Sequence, residues 1–271
     1  MLELFAAPLA YQFFVTALVC GASIALVAAL VGTHLTLKGF SMLGDGLSHV
    51  GFGTVAVAAA VGAAPLSVAI PVVILAAFLL LRLASGGARA DASVAMLSAA
   101  GLAVGVVSVS LSGTNFDLNS YLFGSVLAVS SAEAPVVLFV CGAVFLIYLL
   151  CYPAFFSLTF DEEFFEAQTA HRGFFRTTLS AFSAVIVVVG MQSVGALLIS
   201  ALLIFAPSSA ARLTRSFRAT VVLSALLGVL SFVVGLYLSF YLSLPAGASV
   251  VLVGAAVHLV SLALGAVKKR R

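Results

Sequence analysis

The stretch Gly39–Gly62, GFSMLGDGLSHVGFGTVAVAAAVG, decides how the chain reads. Its length and its apolar second half suit a membrane-spanning helix, which needs about 20 mainly apolar residues. Yet its first half carries Asp45 and His49. An aspartate at the centre of a lipid-facing helix costs about 2.5–3.5 kcal/mol on insertion scales, so lipid-facing placement is excluded on cost. A spacing of four puts the carboxylate and the imidazole on one helix face, close enough to share one ligand. Gly44, Gly46, Ser48, Gly51 and Gly53 crowd around them, and such small residues let neighbouring helices approach closely. The stretch reads as the inner wall of a translocation route, with Asp45 and His49 facing the cargo.

The surrounding chain fits that setting. Its 271 residues are 63% hydrophobic and 8% charged, against about 45–50% and about 25% in soluble domains. An all-α polytopic membrane protein follows, a single domain over residues 1–271. Nine apolar runs are candidate spans: 12–33, 42–62, 66–84, 92–112, 134–152, 176–191, 194–211, 219–242 and 248–267. The sixth and seventh are short and nearly continuous, as in half-buried or broken helices. The count drops to eight if they fuse, or if the first segment lies in the interface.

Charge distribution supports nine. Alternating sides then place Lys38, Arg82, Arg89, Arg172, Arg176, Arg212, Arg215, Arg218 and the tail Lys268–Arg271 together, which is every Lys and Arg. The other side receives Glu3, Asp117 and Glu133. By the positive-inside rule the C-terminus is cytoplasmic and the N-terminus outside. The opening MLELFAAPLAYQFF lacks a basic region, so no removable signal peptide is expected. Cys20, Cys141 and Cys151 lie in apolar runs without CxxC spacing and read as small buried hydrophobes.

Two cytoplasmic loops stand out, near 153–176 and 206–218. The first interleaves Asp161, Glu162, Glu163 and Glu166 with phenylalanines, and an acidic face suits packing on protein better than on an anionic leaflet. The second closes on Arg212, Arg215 and Arg218, read equally as a positive-inside loop or as a docking surface. On the outer side, residues 113–133 are too polar for a span and suit an interfacial or re-entrant element.

The sequence has no phosphate loop, no H-E-x-x-H and no G-x-S-x-G, so no catalytic or cofactor-binding residues are assigned and the chain is not read as an enzyme. An active transporter of this kind takes its energy from another subunit. Carboxylate plus imidazole suits Zn²⁺, and also Mn²⁺ or Fe²⁺. Two donors make half of a tetrahedral site, and a transport site must let its ion leave. The pair alone fits equally a structural Asp–His hydrogen bond locking two helices. Of the other histidines, His34 reads as interfacial, His171 as solvated, and His258 as facing the bundle.

The run MLGDGLSHVGFG at 42–53, following Leu37-Lys38-Gly39, resembles the signature of the metal-ion permeases of ABC importers. FDLNSYLFGSVLAVS at 116–130, VGALLISALLI at 194–204, ARLTRS at 211–216 and PAGASVVL at 245–252 agree in order. The likeness is greatest to the permease of the high-affinity zinc-uptake system and covers almost the whole chain. It implies a type II ABC-importer-like permease, a homodimer in the bacterial cytoplasmic (inner) membrane. Two cytoplasmic ATP-binding subunits would dock near Pro207–Arg215 and hydrolyse the ATP, and an extracytoplasmic metal-binding protein would deliver the ion. Nucleic acid is not among the implied partners.

The resemblance also implies that Asp45 and His49 contact the metal, with Zn²⁺ favoured, then Mn²⁺, then Fe²⁺, as cargo and not as a resident cofactor. The pair is expected to act as a mid-membrane gate. The chain departs from the pattern in three places: Pro207 falls one position late after the LLI run, the F-D-E-E-F segment reaches no glycine before Gly173, and Met96–Ala100 offers no histidine. The rival readings are a siderophore or vitamin permease of related architecture, and a non-transporting membrane scaffold.

Overall fold

The computed structural model describes residues 7–84, 90–113, 133–160 and 172–269. Ten α-helices fall within them, after a 3₁₀ turn at Pro8–Ala10. They are α1 (Gln12–Leu37), α2 (Leu43–Ala60), α3 (Pro65–Ala84), α4 (Ala90–Ser112) and α5 (Ala134–Leu150). There follow α6 (Tyr152–Phe160), α7 (Arg172–Val194), α8 (Ala196–Leu213), α9 (Phe217–Leu242) and α10 (Ala246–Lys269). Each of the nine expected runs is a helix. The acidic part of the first cytoplasmic loop, with His171, and the outer segment 114–132 lie outside the described residues.

Local chemistry sets the boundaries. The α1–α2 turn rests on Gly39, whose φ of 78° suits a residue without Cβ. Its N–H donates to Thr36 O and that of Phe40 to Leu35 O, a Schellman closure of α1. Gly195, at φ 98°, separates α7 from α8, so the short sixth and seventh runs do not fuse. At Cys151 the chain bends by 71° into α6, where Pro153 in the first turn cannot continue α5. Pro207, by contrast, sits inside α8, which runs on to Leu213; no separate coupling helix begins there.

Packing fixes the directions. Helices α1 and α5 run parallel, with Cys20 beside Ala134 and His34 beside Tyr148. Helix α9 runs against α1, with Phe14 on Tyr237 and Phe240 at one end and His34 on Phe217 at the other. Helices α2 and α4 are parallel: Gly46 faces Val94 and Ser98, and Gly53 faces Gly101. Helix α3 is antiparallel to α2, with Val73 near Gly51 and Leu80 near Gly46. The α1–α2 turn with Lys38, the start of α7 and the arginines at the α8–α9 turn therefore share one end of the bundle, called the basic end below.

Length and apolarity alone qualify six of these helices to cross a membrane: α1, α4, α7, α8, α9 and α10. The bent α5–α6 pair makes seven, and α3 is apolar over the shorter Ser67–Leu80. Helix α2, bearing Asp45 and His49, does not qualify on these grounds. It lies inside the protein instead.

Candidate functional site

Four helices enclose α2. Gly44 packs under Leu203 of α8, where an added Cβ would lie 2.8 Å from its Cδ1, and Gly51 packs on Met191 of α7 and Val73 of α3. Gly53 lies on the backbone of Gly101 in α4, and Gly105 lies on Gly53. Ser48 is buried and donates to Gly44 O at 2.8 Å. The small residues around Asp45 and His49 therefore seat α2 against its neighbours. Gly101 and Gly105 complete that seam, and their G-x-x-x-G spacing is the sequence signal that marks it.

One stripe of α2 stays open, and it carries the charged pair. The Asp45 side chain is 45% exposed and that of His49 28%. His49 Nε2 stands 3.6 Å from Asp45 Oδ2, too far for a good hydrogen bond. His49 Nδ1 is buried and has no hydrogen-bond partner. Both residues belong to α2, so their pairing cannot lock two helices together. The pair therefore does not tie two helices of this chain to each other through a bond between its own members. Two donors bound to one ion at about 2.1 Å each stand about 3.4 Å apart in a tetrahedral shell. The observed gap suits a shared ion better than a direct bond.

The pair occupies the first two turns of α2, nearer the basic end than the helix midpoint at Gly51 and Phe52. The Gly39 turn admits only Phe40, Ser41 and Met42 before the helix begins. Among the described residues no group of three or more His, Cys, Asp or Glu is placed to hold an ion. One chain thus offers two donors on an open face.

The other histidines behave differently. His34, expected at an interface, is completely buried at the basic end. Its Nδ1 is 2.6 Å from Thr159 Oγ1 of α6, and its Nε2 is 2.9 Å from the Tyr148 hydroxyl of α5. The rings of Tyr148, Phe155 and Phe217 surround it edge-on. Sequence reading missed this because Thr159 and Tyr148 lie more than a hundred residues downstream. His258 is half-buried, faces α8 as expected, and meets Ser209 Oγ at 3.1 Å.

At the α8–α9 turn, Arg212, Arg215 and Arg218 are all exposed. Thr214 and Thr220 pair through their hydroxyls at 2.7 Å, and Ser216 caps α9 by accepting from the Ala219 N–H. The turn is therefore a fixed shape presenting cations.

Known proteins resemble the chain over nearly its whole length. It is 28% identical to the manganese transport system membrane protein MntC of Listeria monocytogenes, over 93% of this chain and 90% of that one. It is 30% identical to the chelated iron transport system membrane protein YfeC of Yersinia pestis, over 93% and 86%. The solved structure of PsaBC from Streptococcus pneumoniae in complex with Fab superposes with a TM-score of 0.84 at 28% identity, covering 96% of this chain and 94% of that one. Residues 10–265 match the ABC 3 transport family, and the chain belongs to that family.

Proposed function

We propose that this chain is the membrane permease of an ATP-driven importer of divalent transition-metal ions, with Asp45 and His49 as its contacts to the passing ion. The observation that carries this is the open pair itself: two donors 3.6 Å apart on the open stripe of a helix packed against four others. A lipid-facing aspartate is too costly, so this face borders an aqueous path or a second copy of the chain. In a homodimer the two faces together offer four donors, enough for one ion. Relatives named for manganese and for chelated iron support the metal reading.

They also weigh on the choice of cargo. One carboxylate and one imidazole per chain suit Mn²⁺ and Fe²⁺ as well as Zn²⁺, and no thiolate stands with them among the described residues to favour a softer ion. Mn²⁺ or Fe²⁺ therefore comes before Zn²⁺. Read as nine spans, the chain puts the basic end and the C-terminus in the cytoplasm of the producing cell. ATP-binding subunits then dock on the turn bearing Arg212, Arg215 and Arg218. An extracytoplasmic binding protein feeds the opposite end.

The test is ATP-dependent uptake by the complex in proteoliposomes, with Mn²⁺, Fe²⁺ and Zn²⁺ in competition, for the wild type and for Asp45→Ala combined with His49→Ala. The reading expects uptake in the wild type, with Mn²⁺ or Fe²⁺ outcompeting Zn²⁺, and none in the double variant. Undiminished uptake in the double variant would refute the assignment of the pair.

A further inference from the structure

In the transport reading, two turns at the basic end must move together: the arginine turn between α8 and α9, where partner subunits dock, and the α1–α2 turn leading to Asp45. His34 stands between them. Phe217 opens α9 directly after the capping Ser216, and its ring centroid lies 5.4 Å from that of His34. On the other side, His34 O accepts from the Lys38 N–H at 3.0 Å, one residue before the Gly39 turn. Tyr148 and Thr159 hold the imidazole from α5 and α6, across the bent elbow at Cys151.

The hydrogen bonds fix how the ring is held. The Thr159 hydroxyl donates to Phe155 O at 2.7 Å, so it accepts from His34 Nδ1–H. Nε2 is left as the acceptor of the Tyr148 O–H. The imidazole is a neutral single tautomer with both nitrogens satisfied inside an aromatic box. A fully satisfied buried polar network is stiff, because any tilt leaves a group unpaired in a low-dielectric surround. Phe217 also touches Tyr152, Phe156 and Phe160, so a displacement of the docking turn bears on the whole α6 face.

We infer that His34 is a positioning residue that ties motion of the α8–α9 docking turn to the α1–α2 turn, and so couples ATP hydrolysis to opening of the metal path. The inference rests on the transport reading above. Its test measures ATP hydrolysis and Mn²⁺ uptake on the same proteoliposomes, containing the permease, its ATP-binding subunits and its extracytoplasmic binding protein. Tyr148→Phe removes one proton donor and keeps the ring; His34→Gln and Phe217→Leu loosen the node from its two other sides.

The expected result is ATP consumed per Mn²⁺ ion rising by at least about fivefold, with hydrolysis within about twofold of the wild type. A purely structural role lowers hydrolysis and uptake in proportion, and an unchanged ratio in all three variants overturns the inference. Failure of all three to assemble with the ATP-binding subunits overturns it as well, since His34 is then a folding element. A wild-type complex that moves no metal refutes the transport reading itself, a separate outcome from a transporting wild type whose variants stay coupled.

Discussion

His34 and His49 lie fifteen residues apart in sequence, near the same end of the bundle, and their surroundings are opposites. His34 has no exposed surface, and both ring nitrogens are bonded. His49 is 28% exposed, its Nδ1 has no partner, and its Nε2 stops 3.6 Å short of a carboxylate. A buried imidazole with every bond made serves the fold, since leaving a buried polar group unpaired costs about 1–3 kcal/mol. An imidazole left incomplete on an open face stands ready for something that arrives from outside. The contrast separates a histidine that holds helices together from one that we propose meets a ligand.

Substitutions can break or sharpen that contrast. The largest effect is expected from Asp45→Ala with His49→Ala: uptake falls at least about a hundredfold, the upper range already seen for partners that merely support metal ligands. The melting temperature of the purified protein should stay within about 2 °C, because both side chains are partly exposed and no satisfied hydrogen bond is lost. A large loss of stability there would make the open pair structural after all.

His34→Ala should do the reverse. It vacates an aromatic box and orphans the Tyr148 hydroxyl, so chemical denaturation should show a loss of about 3 kcal/mol, against under about 0.5 kcal/mol for His49→Ala. Equal losses would erase the distinction. Gly53→Ala probes the sealed side of α2, where the new Cβ would strike Gly101 O; thermal unfolding should report a cost of about 1–3 kcal/mol. A smaller effect than at Gly53 is expected from Ser224→Ala, which loses a buried bond from Ser224 Oγ to Ala29 O across the α9–α1 seam. Interhelical hydrogen bonds in membranes average about 0.6 kcal/mol, and the same unfolding assay should show a loss of that order.

Much of this was legible in the sequence, and the reasons differ by residue. The Asp45–His49 pair needed only helical periodicity, because its partners lie one turn apart. Gly39 takes the left-handed turn that closes α1, which its lack of a Cβ permits. Segregation of Lys and Arg foretold which helix ends would gather, and the packing of α1, α9, α2 and α4 brings those ends together. His34 was misplaced because its setting is built from Tyr148, Thr159 and Phe217, on three other helices. The elbow at Cys151 was hidden for a related reason: Pro153 signals a break, but not that α6 folds back to bury Phe155 beside His34. Metal preference was not legible, because a carboxylate and an imidazole do not separate Zn²⁺ from Mn²⁺ or Fe²⁺.

The central claim is that the open imidazole, and not the buried one, meets the ion. Pulsed electron–nuclear double resonance on Mn²⁺ bound to the purified permease, with ¹⁵N-labelled histidine, tests it most directly. The account predicts a ¹⁵N coupling to Mn²⁺ that survives His34→Gln and disappears in His49→Ala. A coupling that persists in His49→Ala, or its absence from the wild type with Mn²⁺ bound, would contradict it.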